Sequence, residues 1–407
     1  MVCFAVISAY LCGKFRNRML VKRFKYSMVA TLTLLWLSIF GIPSAKGQNI
    51  TVPDSVTEHS ETPVEESGGF DADRVILDHI KDSHVWHFFD INGHPVALSL
   101  PVILYVPKQG FSIFSASRFH HGESSYEGFR LMTKAYIAQY QLAQNTYFPG
   151  RIIAVREDGS PNLDKPVYDF SLTRNVLQMI LSAILLILIF NGMARKYSRN
   201  PHKAPSGFQN ALEPIVLFIR DDVARPYLGN KAEKYLPYLL TIFFFIWINA
   251  LLALIPGSAN VAGNLAFTGV LAAFTFIFIL ISTNKAYWGH IVWPPGVPLW
   301  VKPILIPVEI LGIFTKPFAL MIRLFANMLA GHMIILSIIS LIFIFGGLAA
   351  AAGWGFSVVS VLFTIFMYLV ELLVGLIQAF IFANLSALFI AQAFEHGHHH
   401  EEEDVIL

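Results

Sequence analysis

Charged side chains are scarce. Asp, Glu, Lys and Arg make up 14% of the 407 residues, against ~25% in an ordinary soluble domain. Net charge is only +2 and 55% of the residues are hydrophobic, with a mean hydropathy of +0.57. This shortage excludes a soluble enzyme, a disordered chain and a nucleic-acid binder, and the pI of about 8.4 reflects a few basic clusters that matter for orientation. Cysteine is nearly absent too. Cys3 and Cys12 stand at the extreme N-terminus and nothing follows them, so no disulfide framework or thiolate metal site is available. No Gly-rich phosphate loop of the nucleotide-binding kind is present. What remains is a polytopic membrane protein with one water-soluble portion.

The chain opens as an export signal. Lys14, Arg16, Arg18, Lys22, Arg23 and Lys25 precede an apolar run over residues 28–42, and Ala45 and Gly47 give a cleavage site before Gln48. Residues 1–47 are therefore expected to be a signal peptide and residues 48–172 an exported portion. That portion begins with an acidic, Ser/Thr-rich linker over residues 54–73. A short amphipathic segment with Val75, Ile76, Leu77 and Ile80 follows, and then short β-like runs over residues 102–106 and 152–155. This predicts a small mixed α+β unit. Its histidines, His79, His84, His87, His94, His120 and His121, lack the repeated spacing of a metal site and read as polar surface residues.

Five membrane spans are expected, each near or above the ~20 residues that cross a bilayer core. The first covers residues 176–194, with Arg195, Lys196, Arg199 and Lys203 just behind it. That basic cluster keeps its end cytoplasmic and the exported portion outside. Residues 208–227 mix Leu212, Val216 and Val223 with Glu213, Arg220, Asp221, Asp222 and Arg225, and so predict a helix along the cytoplasmic interface. Spans two and three cover residues 235–255 and 265–282, joined outside by an uncharged loop; Leu236 to Asn284 contains no charged residue. Residues 304–345 and 356–394 are too long for one upright crossing. A 40-residue helix is ~60 Å long, so both are expected to be strongly tilted and to form an antiparallel hairpin through a Gly/Ala loop at 346–355. The tail, residues 395–407, is expected in the cytoplasm.

Within that hairpin the only formal charges are Glu309, Lys316, Arg323 and Glu371. A charge at the bilayer centre costs ~2.5–3.5 kcal/mol even on lenient scales and so marks an ion path or a partner. Lys316 is the weakest of the four, since its long chain can snorkel. Arg323 cannot deprotonate and needs an anion or water beside it. In an antiparallel pair, residues at one depth have numbers adding to a nearly constant sum. Arg323 then shares a level with Gln378, and His332 shares one with Glu371. The His332/Glu371 level lies seven to nine residues further out, ~10–14 Å, and Glu309 lies ~21 Å inward of Arg323. A titratable pair outside, a fixed cation in the middle and a carboxylate inside suit two proton half-channels that do not meet. A buried structural ion pair is the plainer alternative from these residues alone.

The run from Lys316 to His332, KPFALMIRLFANMLAGH, closely resembles the signature of subunit a of F-type ATP synthases, and LIQAFIF at 376–382 resembles that family's last helix. The resemblance covers about residues 171–394, the membrane domain (173–394). It implies that Arg323 matches the essential arginine facing a rotor ring of c subunits. Asn327 and Gln378 match polar residues near it, and Glu309 matches the inner half-channel glutamate. The His332-then-Glu371 order resembles mitochondrial members. The family implies a stator subunit conducting protons, in complex with c subunits, b subunits of the peripheral stalk and the remaining synthase subunits, in a bacterial inner membrane. It implies no cofactor, no metal and no phosphoryl transfer within this chain. A stand-alone secondary transporter is the alternative, but the internal repeats expected of one are not evident. Titratable His332 favours H⁺ over Na⁺.

Overall fold

The computed structural model describes residues 82–91, 94–107, 109–142, 147–199, 207–255, 257–283, 285–293 and 298–395. The expected signal peptide, the acidic linker, the amphipathic segment at 75–80, His79 and the tail from residue 396 lie outside the described residues.

The region before the first long helix is built from short antiparallel pairings. Strands β1 (Val85–Ile91) and β2 (His94–Ser99) form a hairpin with a bulge between His87 and Phe89. Strand β3 (Pro101–Val106) is central to a second sheet, between β4 (Gly110–Ser115) and β8 (Tyr168–Asp169). Its alternate residues Val102, Leu104 and Val106 are buried, as a half-covered strand of period two requires. They meet Phe119, Phe129, Ile152 and Ala154. A third sheet joins β5 (Ser125–Tyr126), β6 (Phe129–Leu131) and β7 (Ile152–Ala154). Helix α1 (Lys134–Gln139) starts at Thr133, whose hydroxyl accepts the Tyr136 N–H at 3.2 Å.

Five helical stretches are long and apolar enough to cross a membrane. The first is α2 (Arg174–Arg199). The stretch expected to lie apart along the interface, α3 (Phe208–Phe218), runs through a π-turn (Ile219–Ala224) and α4 (Arg225–Leu228) towards α5 (Ala232–Ala253). Its apolar side, with Leu212, Val216, Ile219 and Val223, is buried, while its charges meet one another. Asp221 lies 2.8 Å from Arg220 and 2.7 Å from Arg225, and Glu213 accepts a hydrogen bond from Tyr197. Helix α5 is the buried axis of the membrane part.

Helix α6 (Leu265–Ser282) is capped by Asn264, whose side chain accepts the Ala266 N–H at 2.9 Å, and short α7 (Lys285–Val292) follows. The last two helices are α8 (Lys302–Leu348) and α9 (Ala350–Glu395), each ~70 Å long at the helical rise. The ten-residue loop expected between them is reduced to Ala349. The glycines allow this tight reversal: a Cβ on Gly353 would stand 2.7 Å from the Gly346 Cα. Gly375 likewise brings α9 against α5, where a Cβ would meet that of Ala250 at 2.8 Å.

Candidate functional site

The hairpin holds two polar levels. At the middle level the Gln378 side chain is buried (3% exposed) and donates from Nε2 to the Arg323 carbonyl at 3.4 Å. The Arg323 side chain is on the outward face of α8 and exposed, and Asn327 lies exposed one turn further on. Among the described residues no carboxylate stands within ion-pair distance of that guanidinium. Around it the outward face is apolar or small, with exposed Phe318, Ile322, Ala319, Ala326 and Ala330.

At the second level, nearer the turn of the hairpin, His332 Nε2 lies 3.8 Å from Glu371 Oε1, with the His332 side chain 17% exposed and that of Glu371 6%. Gly331 makes room for the carboxylate, because a Cβ there would stand 3.0 Å from Glu371 Oε1. Inward, Glu309 is exposed on α8 and acts on the Tyr287 phenol of α7. Burial first, and this carboxylate second, hold the phenol above its ordinary pKa. Lys316 donates to Gln392 Oε1 at 2.7 Å, so its ammonium is held within the chain.

The His332/Glu371 level has a wall that the hairpin alone does not reveal. From α2, Gln178 Oε1 accepts the Ala259 N–H at 2.7 Å, and Ser182 accepts from Asn249 Nδ2 of α5 at 3.0 Å. Asn260 bridges the α5–α6 loop to α8. Its Nδ2 donates to the Met328 carbonyl at 2.9 Å and its Oδ1 accepts from Gly263 N at 2.9 Å. Gln178 and Asn249 are each 1% exposed. Five atoms here, Gln178 Nε2, Asn249 Oδ1, Ser258 Oγ, His332 Nε2 and Glu371 Oε2, are buried with no hydrogen-bond partner among the described residues. A buried polar group left unpaired costs about 1–3 kcal/mol, and polar sites of this kind are filled by water. These unpaired atoms come from α2, α5, the α5–α6 loop and both helices of the hairpin. Reading the hairpin by itself passes over these residues. The signal for them was local: an amide inside an apolar span, at 178 and 249, is costly unless it serves a path or a partner.

One expectation about residues 48–172 is corrected. His84, read from sequence as a surface residue, is buried (9% exposed), with Nε2 3.3 Å from Asp169 Oδ2. Its place just before β1 and opposite β8 encloses it, which its local sequence does not reveal. His87 and His120 are exposed.

Fold and site together define a polytopic α-helical membrane protein with buried polar side chains between its helices and a lone cation on an apolar outward face. A family model described as ATP synthase A chain matches residues 176–391, and a second, described as a domain of unknown function (DUF8433), matches residues 75–170. ATP synthase subunit a of Chloroherpeton thalassium is 43% identical over 248 residues, which span 60% of this chain and 72% of that one. The subunit a of Chlorobium phaeobacteroides strain BS1 is 46% identical over 241 residues, 58% and 69% of the two chains. That of Myxococcus xanthus is 42% identical over 250 residues, 60% and 79%. The chain belongs to the ATP synthase subunit a family.

Proposed function

We propose that this chain is the proton-conducting stator of an F-type ATP synthase and works through two offset half-channels that meet only at the rotor. Family membership carries the first part. The second rests above all on one observation: Arg323 is exposed on an apolar outward face, with a titratable pair on one side along the helix and a carboxylate on the other.

An arginine facing lipid would be costly, so that face calls for a partner with an anion. The ring of c subunits supplies one in this family. Ala319, Ala326 and Ala330, spaced at helical intervals around Arg323, suit close approach of a partner helix. In operation, protons enter through the wet wall to His332 and Glu371 and pass to a rotor carboxylate. Protonation neutralises that carboxylate so that it can turn through lipid. On its return it meets Arg323, whose fixed charge favours the ionised form and releases the proton toward Glu309. Gln378 positions the backbone of Arg323, and Asn327 extends the polar face one turn outward. The coupled complex makes ATP elsewhere.

The same reading places the chain in a bacterial inner membrane, with residues 48–172 outside after removal of residues 1–47 and the tail from 395 inside. The b subunits of a peripheral stalk and lipid complete its surroundings. The charged segment at 208–227 then lies at the cytoplasmic interface. Arg323→Ala in reconstituted complexes tests the account: ATP-driven proton pumping is expected to disappear while the complex still assembles. Retained pumping would overturn it.

A further inference from the structure

The exported portion sits on the outer end of the wet wall through three contacts. The Trp86 indole donates to the Gly257 carbonyl at 2.7 Å. The Arg174 backbone N–H, at the start of α2, donates to the Ser83 carbonyl at 3.0 Å. The Asn175 N–H donates to Asp82 Oδ1 at 3.3 Å. Gly257 belongs to the loop whose Ser258, Ala259 and Asn260 line the wall. The seam thus lies where the two matched regions, 75–170 and 176–391, adjoin.

His84 stands between the contacts made by Ser83 and Trp86, and Asp169 stands five residues before Arg174. The charged and titratable groups of the seam are Asp82, His84 and Asp169 from the exported side and Arg174 from α2, with His332 and Glu371 deeper in. Burial opposes ionisation of Asp169. The His84 imidazole 3.3 Å away and the hydrogen bond from Ser171 (N–H to Oδ1, 2.8 Å) outweigh it and hold the carboxyl below its ordinary pKa. Asp169 is therefore anionic at neutral pH and faces the His84 imidazole across 3.3 Å. The imidazole Nε2 is itself buried without a well-aligned hydrogen bond among the described residues.

We propose that the exported portion forms the entrance of the outer half-channel, and that the His84–Asp169 pair is its proton-collecting site. His84 takes a proton from outer water, and Asp169 stabilises the resulting imidazolium. The proton then passes to water between Ser258 and Gln178, leaving the imidazole neutral for the next one. An anion at the mouth of a low-dielectric cleft also raises the local proton concentration. The inference rests on the stator reading and adds to it the route of entry.

The test is ATP synthesis by the whole complex in proteoliposomes whose lumen corresponds to the outer side. The double variant His84→Gln with Asp169→Asn is compared with the unmodified complex. In a weakly buffered, alkaline lumen, where free protons are scarce, the variant is expected to be slower by about tenfold. Raising lumenal imidazole buffer should restore its rate, because a mobile carrier replaces the lost collector. Equal rates in weak buffer, or a deficit that buffer does not relieve, would overturn the proposal and leave the pair a structural contact. Failure of the unmodified complex to synthesise ATP under the same gradient would count against the stator reading instead.

Discussion

The two polar levels of the α8–α9 hairpin are built in opposite ways. His332 and Glu371 are enclosed by this chain, down to a glycine that leaves space for the carboxylate. Arg323 has only its backbone held by Gln378, and its charge points outward with no counterion among the described residues. On the proposed reading, the first level is complete and exchanges protons with water. On the same reading, the second is half of a site whose other half is the rotor carboxylate. A channel subunit that must hand its ion to a moving partner requires this division.

The difference can be sharpened by substitution, beginning with the enclosed level. Glu371→Gln keeps shape and removes titration, so proton-driven ATP synthesis in reconstituted complexes is expected to fall by about a hundredfold or more. A fall of only twofold would show that the pair is structural. Gly331→Ala should act on the same carboxylate more mildly, since its Cβ forces Glu371 aside, and lower synthesis several-fold. Adding Glu371→Asp, which shortens the acid, should recover part of that loss, whereas independent effects of the two changes would break the link.

Asn260→Ala addresses the wall. It removes the hydrogen bond that ties the α5–α6 loop to α8 and the one that closes the loop's own turn at Gly263, at a cost of ~1–3 kcal/mol, read as a lower thermal midpoint of the solubilised complex. Gln378→Met should change least. Its bond to the Arg323 carbonyl is long, and that carbonyl lies within a continuous helix, so the expected stability loss is under ~1 kcal/mol. A large loss there would mean that the middle level is also closed within this chain.

Much of the hairpin was legible in the sequence because one tight turn fixes the register of two helices. Which residue of α9 stands opposite Arg323 or His332 then follows from counting. Lys316 was also separable from the other charges, and it is held by Gln392. The rest was not legible for reasons of the same kind. Gln178, Asn249 and Asn260 reach the wall from three further elements, and no local spacing ties their register to α8. The extent of the turn itself was misjudged, since glycines that read as a loop are what allow two helices to approach within contact of Gly346 and Gly353. His84 carries no spacing signal, and its burial depends on a strand more than eighty residues away.

The orientation of the Arg323 face is the claim on which the mechanism depends, and disulfide formation with the rotor measures it most directly. Cysteines at Ala319, Ala326 and Ala330 of α8, paired in turn with cysteines on the outer helix of the c subunit, should cross-link within the assembled complex. Cysteines at Leu324 and Met328, which are buried against this chain's own core, should not. Cross-links confined to positions 324 and 328, or none at 319, 326 and 330 in a complex that still pumps, would contradict the account.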